Sequence, residues 1–361
     1  MTLTPGLSNQ VPPLAATTLA NLETGSTVPT VEALHALAVV YRISPQRFFD
    51  LLASERQKSA VQLPETADET HAAYNAALRE ARWSDAIGLA LHGESFVTDR
   101  TDTLLWRARR ASCLPYVGRY EEAILLLTEC LNSPQLGRNR RFQLLRNLAD
   151  VYVLAGYLES AVETARKSLE LVPEESSDAA RVAVIAGLVS SLLAKQEAAD
   201  EPDQAEVTEA LELVRRARAH GADKDPHWAL FLDLSAGVAC RLQGDDVAAA
   251  RLFARVGRLA AKAREDRLRL VALLNLGTLR RRQGRLRVAE QHLLGALFCA
   301  LNLSQVNETF EIYVELLLLA RESNHSSQDM YFERCQHYYP LVSARTPSVL
   351  RFEQLERGRL G

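Results

Sequence analysis

The sequence predicts an all-α chain: a short helical head over residues 1–55, an α-solenoid of helix pairs over 66–303, and capping helices with an amphipathic tail over 304–361. Two observations carry this reading. A signature consisting of a small residue and, five positions on, an alanine recurs as ARWSDA (81–86), GRYEEA (118–123), GYLESA (156–161), GDDVAA (244–249) and GRLRVA (284–289). Successive copies stand 37, 38 and, for the last two, 40 residues apart, and the apolar residues around them fall at helical rather than alternating spacing.

In the head, Leu14, Thr18, Leu19 and Leu22 suit a short helix stopped by Gly25. Pro29 and Thr30 open a second helix with Val31, Leu34, Leu37 and Ala38 on its buried stripe. Ser44 is placed to cap a third, with Pro45 at the first helical position, where its missing N–H costs nothing. The ordered run Leu22-Glu23-x-Gly25, Pro29, Glu32-Ala33-Leu34, Leu37-Ala38 and Ile43-Ser44-Pro45 resembles the latter two-thirds of an XRE-family (phage-repressor-like) helix-turn-helix domain. The resemblance implies that the helix over residues 15–22 is the recognition helix in the DNA major groove, with Thr17, Thr18 and Asn21 as candidate base contacts. The head holds no Lys or Arg between Met1 and Tyr41, and little of the family's first two helices precedes it.

Six units then follow. The copy that breaks the spacing between 156 and 244 fits VTEALELVRRA at 207–217. In the best unit, residues 142–173, Leu145, Leu148, Ala149 and Tyr152 form one stripe and Gly156 makes the turn. Ala161, Ala165, Ser168 and Leu169 form the opposing stripe, and Pro173 ends the second helix. A small turn residue, Ala five positions on and a closing Pro resemble the tetratricopeptide repeat. The periods exceed that family's 34 or so, which predicts longer connecting loops. EAADEPDQAE at 197–206 is acidic and aperiodic and predicts an exposed loop in the fourth unit. Beyond Leu303, a helix over about 306–322, a polar break, a helix through MYFERCQHYYP and the segment PSVLRFEQLERGRL are placed to cover the last apolar face of the array.

Composition excludes more than it assigns. A net charge of −3 gives no general attraction for nucleic acid, so any DNA role rests on the head. The longest apolar runs, such as Val314 to Ala320 interrupted by Glu315, are too short to span a bilayer, and the N-terminus shows no secretory pattern, so the expected compartment is the cytoplasm. Five cysteines without CxxC and eight histidines without ligand spacing predict neither disulfides nor a metal site. With no phosphate loop, HExxH or GxSxG, neither an enzyme nor a cofactor is expected.

Aligning Gly156 with Gly284 brings Asn147 and Asn275 to the same position on the first helix of their units. The tetratricopeptide resemblance implies that an inner Asn there hydrogen-bonds the main chain of an extended peptide. Arg146, Arg241 and Arg281 would face the same groove and form an anion-favouring trough, while others of the many arginines between 251 and 287 belong to solvated outer faces. Together the head and array resemble peptide-responsive bacterial transcription regulators, in which a peptide or protein in the groove modulates DNA binding; a homodimer would suit two DNA-binding heads. The alternative is an adaptor that binds no DNA and uses its helix-turn-helix for packing or dimerisation.

Overall fold

The computed structural model describes residues 63–360, apart from 80, 81, 98 and 304. The head, with Thr17, Thr18 and Asn21, and the expected turn at Ala81 lie outside the described residues. The described helices pair in antiparallel order: α1 (Ala67–Arg79) with α2 (Trp83–Phe96), α3 (Arg100–Cys113) with α4 (Tyr120–Leu131), and α5 (Arg138–Ala155) with α6 (Leu158–Glu170). The array continues with α7 (Asp178–Ala198) and α8 (Gln204–Ala219), α9 (Pro226–Leu242) and α10 (Asp246–Ala263), then α11 (Asp266–Arg282) and α12 (Leu286–Asn302). A seventh pair, α13 (Val306–Glu322) and α14 (Gln328–Tyr338), and the final helix α15 (Pro347–Leu360) form the cap. The fold is an all-helical, tetratricopeptide-like solenoid, and no strand occurs among the described residues.

Local chemistry sets the helix ends. Asp99 caps α3 by accepting from the backbone N–H of Thr101 and Asp102 at 2.9 and 3.1 Å. Asp203 and Asp245 do the same for α8 and α10, and Asp225 combines a cap with Pro226 at the first position of α9. The alanines of the recurring signature are fully buried at 86, 123, 161, 249 and 289, where the second helix of each unit lies close against the first. Large side chains fill the rest of the core: Phe253, Leu232, Leu293 and Phe310 are fully buried, each contributing about 1.5–3 kcal/mol relative to exposure.

Two expectations about the connections are corrected. In the fifth and sixth units the extra residues lengthen helices rather than loops: α9 to α12 run 17 or 18 residues each. The ten-residue loop expected at 197–206 shrinks to residues 199–203, because the flanking residues continue α7 and open α8. Gln196 staples this turn, its Oε1 accepting from the backbone N–H of Asp203 at 2.7 Å, while Lys195 reaches Glu206 at 3.0 Å. Satisfied polar groups thus replace the flexibility that an acidic, aperiodic segment suggests.

The solenoid bends through a turn and closes on itself. The segment after α14 packs over the turns of the second and third units: Ser343 Oγ donates to the carbonyl of Ala155 at 2.7 Å, and the Arg345 guanidinium lies 4.0 Å from the centre of the Tyr157 ring. Tyr120 donates to Asn307 Oδ1 at 2.6 Å, and Arg267 of α11 reaches over the Tyr116 ring. Gly118 and Gly156 serve this closure twice. Both have positive φ, 77° and 80°, and at both the neighbouring chain occupies the space of a side chain. A Cβ on Gly156 would stand 2.6 Å from Arg345 Cβ.

Gly244 also has positive φ but meets nothing within 4 Å, so Gly244→Ala is expected to cost about 1–2 kcal/mol from backbone strain alone. Gly156→Ala should cost clearly more, because Arg345 and its backbone must also move. Urea unfolding of the two variants checks this, and equal losses would show that the closure adds no stability.

Candidate functional site

The first helices of the units, α3, α5, α7, α9, α11 and α13, carry the charged residues that meet inside the closed turn. On α5, Arg146 and Asp150 are one helical turn apart and share a face. Asp150 is wet but enclosed; that enclosure raises its carboxyl pKa, opposed by Arg146 and by Arg267 from α11. Arg267 in turn faces Tyr116, which stacks on Trp83 with ring centres 4.0 Å apart.

Farther round, the inner wall is knitted by ion pairs. Arg241 on α9 is held by Glu197 at the end of α7. Glu315 on α13 is 1% exposed and sits between two guanidinium groups, accepting from Arg281 Nε at 2.9 Å and Arg351 Nη1 at 2.7 Å. Glu322 takes a second nitrogen of Arg281. A carboxylate this deep is tolerable only with such partners, and the pairing fixes α15 and α11 against α13. One turn earlier, Glu311 has its pKa raised from 4.5 to about 7, by burial first and then by Glu197, Glu315 and Glu308, with Arg351 opposing.

A cleft of about 390 Å³ opens between α3, α5 and α7. Arg109, Arg140, Arg146, Gln143 and Asn147 line it together with small and apolar groups that include Ala108, Ala183 and Val184. Arg146 Nη2 donates to Asn147 Oδ1 at 2.9 Å, and the Arg109 guanidinium rests 4.4 Å from the Trp106 ring centre. Arg146 Nε and Arg140 Nη1 are shielded from water and have no hydrogen-bond acceptor among the described residues. Arg140 makes a longer ionic contact, 3.7 Å, with Asp102. The cleft therefore presents positive charge and unmet donors.

Of the five groove residues expected from sequence, the structure brings Arg146 and Asn147 together here. Arg241 and Arg281 are instead occupied by carboxylates, and Asn275 donates to the Val271 carbonyl of its own helix at 3.0 Å. The inner wall is thus of mixed sign, and in the α3–α5–α7 cleft guanidinium groups gather beside donors that lack acceptors. Arg109 and Arg140 were not in the sequence-derived set, since they stand on different units at no shared register. Glu315 did leave a signal: a lone acid inside an apolar run marks a buried, partnered carboxylate. Among the described residues no His, Cys, Asp and Glu group could hold a metal ion, and no helix is long and apolar enough to cross a membrane.

No protein-family model matches the sequence, and no curated protein matches it. Solved structures do resemble it. A Rap protein complexed with competence and sporulation factor is 12% identical and superposes with a TM-score of 0.51 over 81% of this chain and 94% of that one. A tetratricopeptide repeat protein from Parabacteroides merdae is 11% identical, with a TM-score of 0.47 over 80% of this chain and all of that one. A signal-transduction ATPase with a tetratricopeptide repeat sensor, from Pyrococcus horikoshii, is 15% identical, with a TM-score of 0.47 over 90% of this chain. The chain spans 44% of the length of that ATPase. At such identities the likeness concerns the fold.

Two outcomes follow from this geometry. Arg281→Ala leaves Glu315 buried with one partner fewer and should lower stability by about 3 kcal/mol, measurable as a shifted urea midpoint. Glu311 has a raised carboxyl pKa, so its contribution to stability is full below about pH 4.5 and lost as pH rises towards about 7. Glu311→Gln should therefore gain in melting temperature relative to wild type between pH 5 and 8. A difference that stays constant with pH would contradict the assignment.

Proposed function

We propose that the chain is a cytoplasmic transcriptional regulator whose repeat array binds a peptide or protein partner and thereby modulates DNA binding by the head over residues 1–55. The observation that carries the sensor part is the α3–α5–α7 cleft, with its local excess of guanidinium and its donors lacking acceptors. An anionic group on the partner supplies those acceptors, and Asn147 adds a donor and an acceptor suited to a peptide main chain. The solved structure of a Rap protein with a bound factor supports a repeat array of this kind as a sensor. No catalytic step belongs to this reading.

The same helix links the cleft to the closure. Arg146 and Asn147 stand mid-way along α5, and about 14 Å farther on, at 1.5 Å per residue, the Ala155 carbonyl accepts from Ser343. A partner that shifts α5 alters the closing contact, and one that binds the closed turn more tightly stabilises it by that difference in affinity. The head, in this proposal, reads DNA with Thr17, Thr18 and Asn21. The second reading, an adaptor that binds no DNA, is favoured by one feature: the absence of Lys and Arg from residues 1–41.

Mobility shifts of genomic fragments with the full chain separate the two. A regulator retains specific fragments and loses them when Asn21 is replaced by Ala; an adaptor retains none. For the sensor part, Asn147→Ala and Arg146→Ala should weaken partner binding about tenfold in calorimetry, corresponding to about 1.4 kcal/mol, with little change in melting temperature. Loss of stability without loss of affinity would assign both residues to the scaffold.

A further inference from the structure

The chain accepts unfavourable charge around the α3–α5–α7 cleft. Helix α5 opens with Arg138, Arg140 and Arg141, with no acid in its first turn and no side-chain cap. Positive charge at a helix N-terminus opposes the macrodipole. Arg141 is taken up by the Leu131 carbonyl at 3.1 Å, whereas Arg140 stands in the cleft wall with Arg109 and Arg146. The carboxylates that act on these three arginines, Asp102 and Asp150, do not line the cleft. Arg109 rests on the Trp106 ring and makes no ion pair among the described residues; burial pulls its pKa down, and Tyr74 and Asp102 offset that only in part. Local rules broken without compensation mark functional sites.

The arrangement discriminates among anions. A carboxylate carries one charge and two oxygens in a plane, and a single guanidinium fork fills them. A phosphoryl group carries a charge of about −1.5 to −2 and presents three strong acceptor oxygens, enough for three arginines that come from two helices. Arg146 Nε and Arg140 Nη1, shielded from water and without acceptors, are donors for such oxygens. At about 390 Å³ the cleft falls within the range of small-molecule sites, which leaves room for the group that carries the phosphoryl.

We propose that Arg109, Arg140 and Arg146 clamp a phosphate monoester, carried either by a phosphorylated side chain of the partner or by a small phosphorylated molecule. This rests on the sensor reading above for the cleft as a binding site and adds the chemistry of its ligand. The guanidinium groups take the phosphoryl oxygens, and the amides of Gln143 and Asn147 are left for the carrier.

The test is calorimetry of the full chain with phenyl phosphate, and with benzoate as the matching carboxylate. Phenyl phosphate should bind at one site per chain, at least tenfold more tightly than benzoate. Arg140→Gln and Arg146→Gln should each weaken it at least fivefold, while Arg258→Gln, on the exposed face of α10, leaves it unchanged. The Arg140 side chain is 38% exposed, so its replacement keeps the fold and the test stands even if Arg146→Gln unfolds. Phenyl phosphate should also raise the melting temperature of the wild type but not of the cleft variants. Equal affinity for the two probes, or indifference to both cleft variants, overturns the proposal; the sensor reading survives that failure if Arg146→Ala still weakens partner binding. Phenyl phosphate held by the arginines of a chain that binds no peptide or protein would keep the phosphoryl site and sink the sensor reading. A capped pentapeptide with a central phosphoserine separates the two carriers. It binds more tightly than phenyl phosphate if a partner side chain carries the group and more weakly if a small molecule does, and either result supports the clamp. An unphosphorylated pentapeptide that binds as tightly as the phosphorylated one overturns it.

Discussion

Closure of the array on itself is the constraint from which the other features follow. An open solenoid needs only contacts between neighbouring units, and its stability is close to a sum of unit and interface contributions. Here Tyr120 meets Asn307, 187 residues away, and Ser343 meets Ala155, 188 residues away. These contacts couple the two ends, so a perturbation of the cap is felt by the second and third units. They also explain why α13 to α15 make a thick cap rather than a single covering helix: the cap must present the 339–346 segment to the turns at Gly118 and Gly156.

Closure brings charged inner faces together where water is confined, and the chain answers with alternation of sign. Arg281, Glu315 and Arg351 make one sequence of this kind, Glu197 and Arg241 another, Arg146, Asp150 and Arg267 a third. The buried Arg281–Glu315–Arg351 set is costly to desolvate and costly to break, which makes this part of the inner wall more a register than an adhesive. Against that background, the α3–α5–α7 cleft stands out because its guanidinium groups outnumber their carboxylates.

The helix pairs were legible because a buried Ala and a small turn residue recur at fixed separation, and both are demands of close helix packing. Gly118, Gly156, Gly244 and Gly284 all take the left-handed conformation that the signature implies. Loop length was not legible, because the same extra residues can lengthen a helix or a loop, and Gln196 and Lys195 decide the matter through bonds to residues beyond the turn. The closure left no signal at all: nothing local to Gly156 announces Arg345. The site was half legible, since Asn147 and Arg146 follow from repeat register, whereas the carboxylates that occupy Arg281 and Arg241 come from other units.

The turns of the fifth and sixth units bear on how the chain tolerates cutting and insertion. Only residues 243–245, 264–265 and 283–285 separate α9, α10, α11 and α12, and a protease needs a longer extended stretch than that to seat its substrate. The connections at 132–137 and 171–177 are longer and lie beside the cleft-bearing helix α5. Insertions, like proteolytic nicks, are therefore accommodated more readily at the borders of the third unit, where added residues would reshape the entrance to the cleft while the fifth and sixth units keep their pitch.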